Sequence, residues 1–437
     1  MEIKDLIQQG FWVLLVRSLG AGIMLIMTIL FARWLGAEEF GLFSLGMIIM
    51  TFMSVFSRWG TGQILLKQVG AHWEIEPEIA KGYIVSSIQL IAIISLILAI
   101  LISSLSEEIA TYIFNKPKLS EVLFWFGFMI IFFSINQTIA EAYKGIGRSV
   151  LSAYLQNVIT PFIAILLGII LYYTEQINLI NITQSFSIGV IIALISSAFL
   201  WIKIFKKIKK KSVSCIRILK EGWTMLIIAS SGLVMASSDM FVIGMFGTAE
   251  ELGIYSAVSR TVLMTSLILV AMNSITAPKY AKLYKNMDLK GIEKLSQNSS
   301  SILLSLIIIP TAILLIFPEW ILGWYGSEFT TGVTMLMVLT IGQALNVACG
   351  SVGYILSMSG KERIMQRIVF TTAVINIILS LILVQNFGAF GVALATTISV
   401  IIWNVWSVIE VKKHLGFWAI SLDVLLTSLR VKVNDKA

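Results

Sequence analysis

The sequence predicts an all-α polytopic membrane protein, with twelve transmembrane helices in two six-helix lobes related by a parallel pseudo-repeat. Three observations predict it. Of 437 residues, 57% are hydrophobic and only 13% are charged, against about 25% charged in a soluble globular chain. A chain of this length with so few charges cannot cover its own surface in water, so a bilayer is the solvent that suits it. Twelve apolar runs are each long enough to cross one. A short motif near the first crossing returns about 212 positions later.

The runs are 11–32, 42–66, 80–104, 121–140, 150–173, 182–204, 221–246, 253–277, 298–317, 329–356, 365–385 and 388–410. The first is preceded by the charge-balanced MEIKD, is too long for the apolar region of a signal peptide, and has no small-residue cleavage site after it. It therefore reads as a spanning helix. Gly416 to Leu429 carries Asp423 and is too short to span, so it reads as an interfacial amphipathic helix. Pro161 and Pro310 lie inside spans five and nine and are expected to kink them. The implied domains are an N-terminal lobe over 1–211 with its basic linker, a C-terminal lobe over 212–413, and a cytoplasmic or interfacial tail over 414–437.

Lys and Arg fix the orientation. The N-terminus, the loops after even-numbered spans and the tail hold 26 of the 32 basic residues. The opposite loops hold three (Arg33, Lys116, Lys118), and three more lie within spans. By the positive-inside rule both termini are cytoplasmic. The run Lys203 to Lys211 is the most basic segment and reads as an anchor facing anionic membrane lipids. The net charge of +8 is thus explained by basic loops, without nucleic acid as a partner.

Several chemistries are excluded. Cys215 and Cys349 are the only cysteines, and His72 and His414 the only histidines. They offer no disulfide framework, no metal-ligand spacing and no His-based catalysis. No GxxxxGK[ST] loop is present, so no cofactor or metal is expected. The outward loops are short and almost uncharged, too small to carry the catalytic acids and bases of a membrane enzyme acting on surface sugars. The expectation is a non-enzyme whose function sits among the helices.

The repeat supports that view. Gly36, Ala37, Glu38, Glu39, Gly41 and Ser44 recur after span seven as Gly247, Ala249, Glu250, Glu251, Gly253 and Ser256, allowing one inserted residue. Tyr143-Lys144-Gly145-Ile146-Gly147-Arg148 matches Leu356-Ser357-Met358-Ser359-Gly360-Lys361 more weakly, at an offset of 213. Six spans per unit is an even number, so both units insert the same way, and such transporters handle substrate between their halves. The Glu pairs open spans two and eight, where acids suit the positive end of the helix dipole.

Four ionisable residues lie deep within spans: Arg17, Arg58, Asp239 and Arg260. Each costs at least about 2.5–3.5 kcal/mol at bilayer depth, which makes it a functional candidate. Small and polar residues share the face of Arg17 (Gly20, Ala21, Thr28) and of Arg58 (Thr51, Ser54, Thr61), so these faces meet helices or water rather than lipid. No acid lies in spans one to three to neutralise the two arginines. One reading is an anion-attracting cavity open to the cytoplasm; the other is snorkelling to the headgroups. Asp239 and Arg260 stand at matched depth on spans seven and eight. They read either as a structural ion pair or as a coupling carboxylate and a substrate-contacting arginine. Asn136, Gln137, Glu141, Tyr143 and Lys144 cluster at the inner end of span four, with Gln156 and Asn157 opening span five. Amides and aromatics of this kind suit sugar hydroxyls and ring faces, and equally suit helix ends.

Ala32-Arg33-Trp34-Leu35-Gly36-Ala37-Glu38-Glu39-Phe40-Gly41 resembles the "AR-x-LG-x-x-x-[FY]G" signature between the first two helices of bacterial polysaccharide flippases. These belong to the superfamily of multidrug, oligosaccharidyl-lipid and polysaccharide exporters. Ala142 to Arg148 and Phe387 to Ala395 resemble later landmarks, and the resemblance spans residues 1–413. It implies an inner-membrane flippase that moves an undecaprenyl-pyrophosphate-linked oligosaccharide outward for O-antigen (lipopolysaccharide) or capsule assembly. Polysaccharide polymerase and glycosyltransferases are its implied partners. Such families are thought to use a cationic central cavity, and Arg17, Arg58 and Arg260 are the carry-overs. The alternative is an ion-coupled drug or solute antiporter of the same superfamily, for which Asp239 is the one carboxylate available. If Asp239 and Arg260 are a structural pair, the double variant Asp239→Asn/Arg260→Gln will express better than either single variant. A double no better than the worse single, read by membrane protein level, rejects the pair.

Overall fold

The computed structural model describes residues 3–206 and 208–420. These residues are mostly helical, joined by short turns and loops, with no strand among them. They form two compact units, 1–253 and 254–437. The first holds α1 (Ile3–Ser57), α2 (Thr61–His72), α3 (Pro77–Ser104), α4 (Ser106–Glu108), α5 (Leu119–Gly145), α6 (Ser149–Asn157), α7 (Ile159–Tyr173), α8 (Leu179–Phe205) and α9 (Cys215–Phe246). The boundary falls early in α10 (Ala249–Thr265). The second unit continues with α11 (Leu267–Lys285), α12 (Leu289–Ile316), α13 (Pro318–Leu322), α14 (Val333–Ala348), α15 (Val352–Met358) and α16 (Glu362–Leu415).

Among the described residues, eight helices are long and apolar enough to cross a membrane, or nine if α10 and α11, bent by 41°, count as one broken span. Two of the eight are double-length. A straight helix of 55 residues would reach about 80 Å, far beyond a hydrocarbon core of about 30 Å. α1 avoids this by breaking at Gly36 (φ 74, ψ 173), and α16 at Gly388 (φ 55, ψ −142). A residue with a Cβ is strained at these positive φ values.

Four expected runs are broken internally: 253–277 at Ser266, 329–356 at Cys349 to Ser351, and the two that follow. The run 42–66 is interrupted at Arg58-Trp59-Gly60, between α1 and α2. The run 150–173 breaks at Val158 rather than at Pro161 itself. A proline has no N–H and crowds the carbonyl four residues earlier, here that of Asn157, which places the break there. Pro310, by contrast, lies inside α12 without interrupting it. At the C-terminal end α16 closes on the left-handed Gly416, and 417–420 run without helix, Phe417 and Ala419 buried in the core of the second unit. The rest of the expected 416–429 helix lies outside the described residues.

In the first unit α3 and α8 pack on α5, and α7 packs on α8. The linker after α8 lies against α3. Lys81 Nζ donates to Phe205 O (3.0 Å) and Ile208 O (2.6 Å), and Ser86 Oγ to Val213 O (2.9 Å). The motif that recurs in the sequence is itself a packing element. A Cβ on Gly41 would overlap the Ala249 carbonyl oxygen, and one on Gly253 would overlap that of Ala37. The two copies thus cross through small residues, the spacing that lets helix backbones approach closely. Thr248 and Glu251 close a capping box at the start of α10: Glu251 N donates to Thr248 Oγ1 and Thr248 N to Glu251 Oε2, both 3.0 Å. Lys116 Nζ caps the other side of this turn, donating to Gly244 O (2.7 Å) and Gly247 O (2.8 Å) at the end of α9. Burial lowers the Lys116 pKa, and nearby Glu251 opposes that shift.

Overpacking a tight contact costs about 1–3 kcal/mol or more. Gly41→Leu will therefore lower the melting temperature of the purified protein, whereas Gly70→Ala, whose new Cβ would meet only Gly145 O at 3.6 Å, will not. Equal melting of the two variants would show that the crossing is not tight.

Candidate functional site

The break at 58–60 gathers the most polar part of the first unit. Trp59 (φ 46) and Gly60 (φ 70) are both left-handed, a conformation that costs a non-glycine residue about 1–3 kcal/mol. It is held from α9: Trp59 Nε1 donates to Leu219 O (3.1 Å), and a Cβ on Gly60 would overlap Gly222 O. Gln68 Nε2 reaches Glu221 Oε2 at 3.5 Å, and Glu221 Oε1 is paired with Arg217 Nε at 2.9 Å. On the α5 side, the buried hydroxyls of Ser54, Ser57 and Ser134 bond one another, Ser57 Oγ to Ser134 Oγ at 2.7 Å and Ser134 Oγ to Ser54 Oγ at 3.0 Å. Ser134 and Trp59 carry no signal in the sequence beyond their position in apolar runs.

Arg58 is half-buried at this break, its Nε donating to Ser54 O at 3.3 Å. Its electrostatic partner is Glu141 on α5. The absence of an acid from spans one to three is therefore not the absence of one near Arg58, because span four supplies it. Glu141 accepts from Gln156 Nε2 (3.1 Å) and pairs with Lys144 Nζ (3.4 Å), its side chain 19% exposed. Gly62, on the first turn of α2, faces the same carboxylate: its Cβ would lie 3.5 Å from Glu141 Cγ. The arrangement gathers two cations, one carboxylate and an amide in one neighbourhood, with Glu141 bonded to Lys144 and Gln156 and acting on Arg58 only through its charge.

The other sequence candidates are placed differently. Gln137 is half-buried on α5 near the cluster's residues in sequence. Asn136 is buried, donating to Leu155 O (3.3 Å) and accepting from Ser197 Oγ. Tyr143 is buried and donates to Ser197 O at 2.9 Å. These two side chains are spent on packing against α6 and α8. Asn157 bonds its own helix at Ala153 O (2.9 Å) and packs against Gly20 of α1. Arg17 is exposed on α1. Asp239 is half-buried on α9, with Ser238 Oγ 3.4 Å from its Oδ1. Arg260 is half-buried on α10 in the second unit, with Tyr325 as electrostatic neighbour; Tyr325 Oη and Thr261 Oγ1 are 2.6 Å apart. Among the described residues, no group of His, Cys, Asp and Glu could hold a metal ion.

Comparison with known proteins adds the family. The chain is 25% identical over 398 residues to the probable low-salt glycan biosynthesis flippase Agl15 of Haloferax volcanii, covering 90% of this chain and 81% of that one. Its fold is that of the lipid II flippase MurJ in an inward closed conformation (TM-score 0.73, 20% identity, 97% and 91% of the two chains). It also matches an inward-facing multidrug transporter of the MATE family and MOP superfamily (TM-score 0.75, 14% identity, 92% and 98%). The fold is thus of the MOP transporter type. Residues 6–283 match the family described as polysaccharide biosynthesis protein, and the chain belongs to that family.

Proposed function

We propose that this chain is a flippase that translocates an undecaprenyl-pyrophosphate-linked oligosaccharide from the cytoplasmic to the outer face of the bacterial inner membrane, for O-antigen or capsule biosynthesis. Arg17, Arg58 and Arg260 handle the diphosphate, because guanidinium groups replace the water shell of such an anion. Transport is by alternating access between two six-helix halves, 1–211 and 212–413, with both termini cytoplasmic. Glycosyltransferases that build the glycan and a polymerase that consumes it are the implied partners.

The observation that carries this reading is Arg58 at the break of a membrane-spanning helix, in a chain of the polysaccharide biosynthesis family. Discontinuous helices are where transporters of inverted or parallel repeats place their sites. Support for twelve spans and a duplicated architecture comes from the register of the elements. α3 and α12 are each 28 residues long and begin 212 positions apart. Gly147 (φ 82) and Gly360 (φ 68) stand 213 apart. The hydrogen bonds Arg148 N to Tyr143 O (2.9 Å) and Lys361 N to Leu356 O (3.0 Å) repeat at the same step. The half-buried Asp239 favours a second reading, an ion-coupled drug antiporter of the same fold. Drug efflux that follows a sodium or proton gradient would select it.

Arg58→Ala is expected to abolish surface glycan while the protein level stays unchanged, and wild-type glycan output from that variant overturns the cavity. Removing the neighbouring negative charge strengthens anion binding. Glu141→Gln should therefore bind inorganic pyrophosphate severalfold more tightly than the wild type at low salt, and Arg58→Ala more weakly. Pyrophosphate affinity indifferent to both substitutions would remove Glu141 and Arg58 from the site.

A further inference from the structure

The second unit contains a cavity of about 230 Å³, far larger than one ordered water needs. It opens where α14 gives way to α15 at Gly350 (φ 71). Asn273, Asn346, Ser351, Tyr354, Trp403 and Asn404 line it, and no Asp, Glu, Lys, Arg or His does. Its polar groups are only partly used. Asn404 Nδ2 donates to Asn346 Oδ1 at 3.0 Å, and Ser351 Oγ donates to Asn273 Oδ1. These bonds spend the two amide oxygens and leave the NH2 groups of Asn273 and Asn346 without an acceptor among the described residues. The Trp403 indole N–H is buried with no partner among the described residues. Donors with free bonding capacity favour a ligand that brings acceptor oxygens to them.

The position of the cavity in the chain is informative. Gly350, Tyr354 and Ser357 line it, and each lies 213 residues after Gln137, Glu141 and Lys144 respectively. That is the step between Gly147 and Gly360. Where the first unit has a carboxylate and an ammonium, the second has a phenol and a hydroxyl. An anion would gain no charge partner here. A neutral ligand rich in hydroxyls would find amide donors, hydroxyls and two aromatic side chains, the combination that suits a sugar's hydroxyls and its apolar ring face.

We propose that this cavity is a subsite for a neutral polyhydroxylated group, one sugar ring of the glycan cargo. The proposal rests on the glycan-flippase reading given above. It gives the second unit an uncharged chemistry suited to a sugar and not to a diphosphate.

The test is equilibrium binding to the full chain in nanodiscs of neutral lipid, free of sugar-based detergent. Two probes are used: undecaprenyl pyrophosphate with no sugar, and the same lipid bearing one N-acetylhexosamine. The wild type should bind the sugar-bearing probe about tenfold more tightly, the worth of one or two good hydrogen bonds. Trp403→Phe keeps an aromatic ring but removes the indole N–H together with its five-membered ring, and Asn346→Ala removes the amide. Each should lose most of that preference while binding the bare lipid as the wild type does, which also shows that the variant is folded. A wild type without preference for the sugar, or variants that keep it, overturns the subsite. If the bare lipid binds in an Arg58-dependent manner and the sugar adds nothing, the subsite alone falls. If neither probe binds, the flippase reading falls with it.

Discussion

Every break in a membrane-spanning helix frees backbone groups that hydrocarbon cannot satisfy, and this constraint governs where the chain can be irregular. The break at 58–60 is tolerable because α9 and α5 cover it: Trp59 reaches Leu219 O, Gly60 sits on Gly222, and Ser54, Ser57 and Ser134 bond one another beside it. The break at Gly350 is covered in the same manner by Ser351, whose hydroxyl meets Asn273 and lies 3.2 Å from Thr276 Oγ1. Repairing a broken helix therefore concentrates hydroxyls, amides and exposed carbonyls in one place. A polar cargo crossing a bilayer needs those same groups, so the structural repair and the site chemistry draw on the same residues.

Arg58 shows how a charge is kept at such a place. Alone at depth it would cost a few kcal/mol. Glu141 reduces that cost but also competes with any anion that approaches. Lys144 and Gln156 hold the carboxylate, so Glu141 acts on Arg58 through its charge and not through a bond. A bare arginine would bind more tightly and would be harder to insert into the membrane.

Much of the fold was legible in the chain. Apolar runs marked the eight helices long and apolar enough to cross a membrane; Gly36 fell between two runs and Gly388 opened one, and at both the chain turns. The acids opening span eight were read as dipole partners, and one of them, Glu251, also closes a capping box with Thr248. The internal break at Arg58-Trp59-Gly60 was hidden because hydropathy averages over it, and because a left-handed tryptophan is held by a contact 160 residues away. The influence of the Glu141 charge on Arg58 was hidden for a related reason: it depends on which face of α5 turns toward the break. Asn136 and Tyr143 look like ligand residues by type, and only their burial against Ser197 shows them engaged elsewhere.

The crossing of the two motif copies has a further consequence. Residue 37 meets 253 and residue 41 meets 249, a reciprocal pattern of the kind found when one surface faces itself across a two-fold axis. Under the proposed duplication, a single six-helix half would present a self-complementary patch, as an isologous dimer does. Two identical subunits paired in this way would be bound by symmetry to carry the same residues at both of their sites. Joining them in one polypeptide lifts that requirement while leaving the seam intact. Positions 141 and 144 can then carry Glu and Lys while the corresponding positions 354 and 357 carry Tyr and Ser, a difference no symmetric pair of identical chains could maintain.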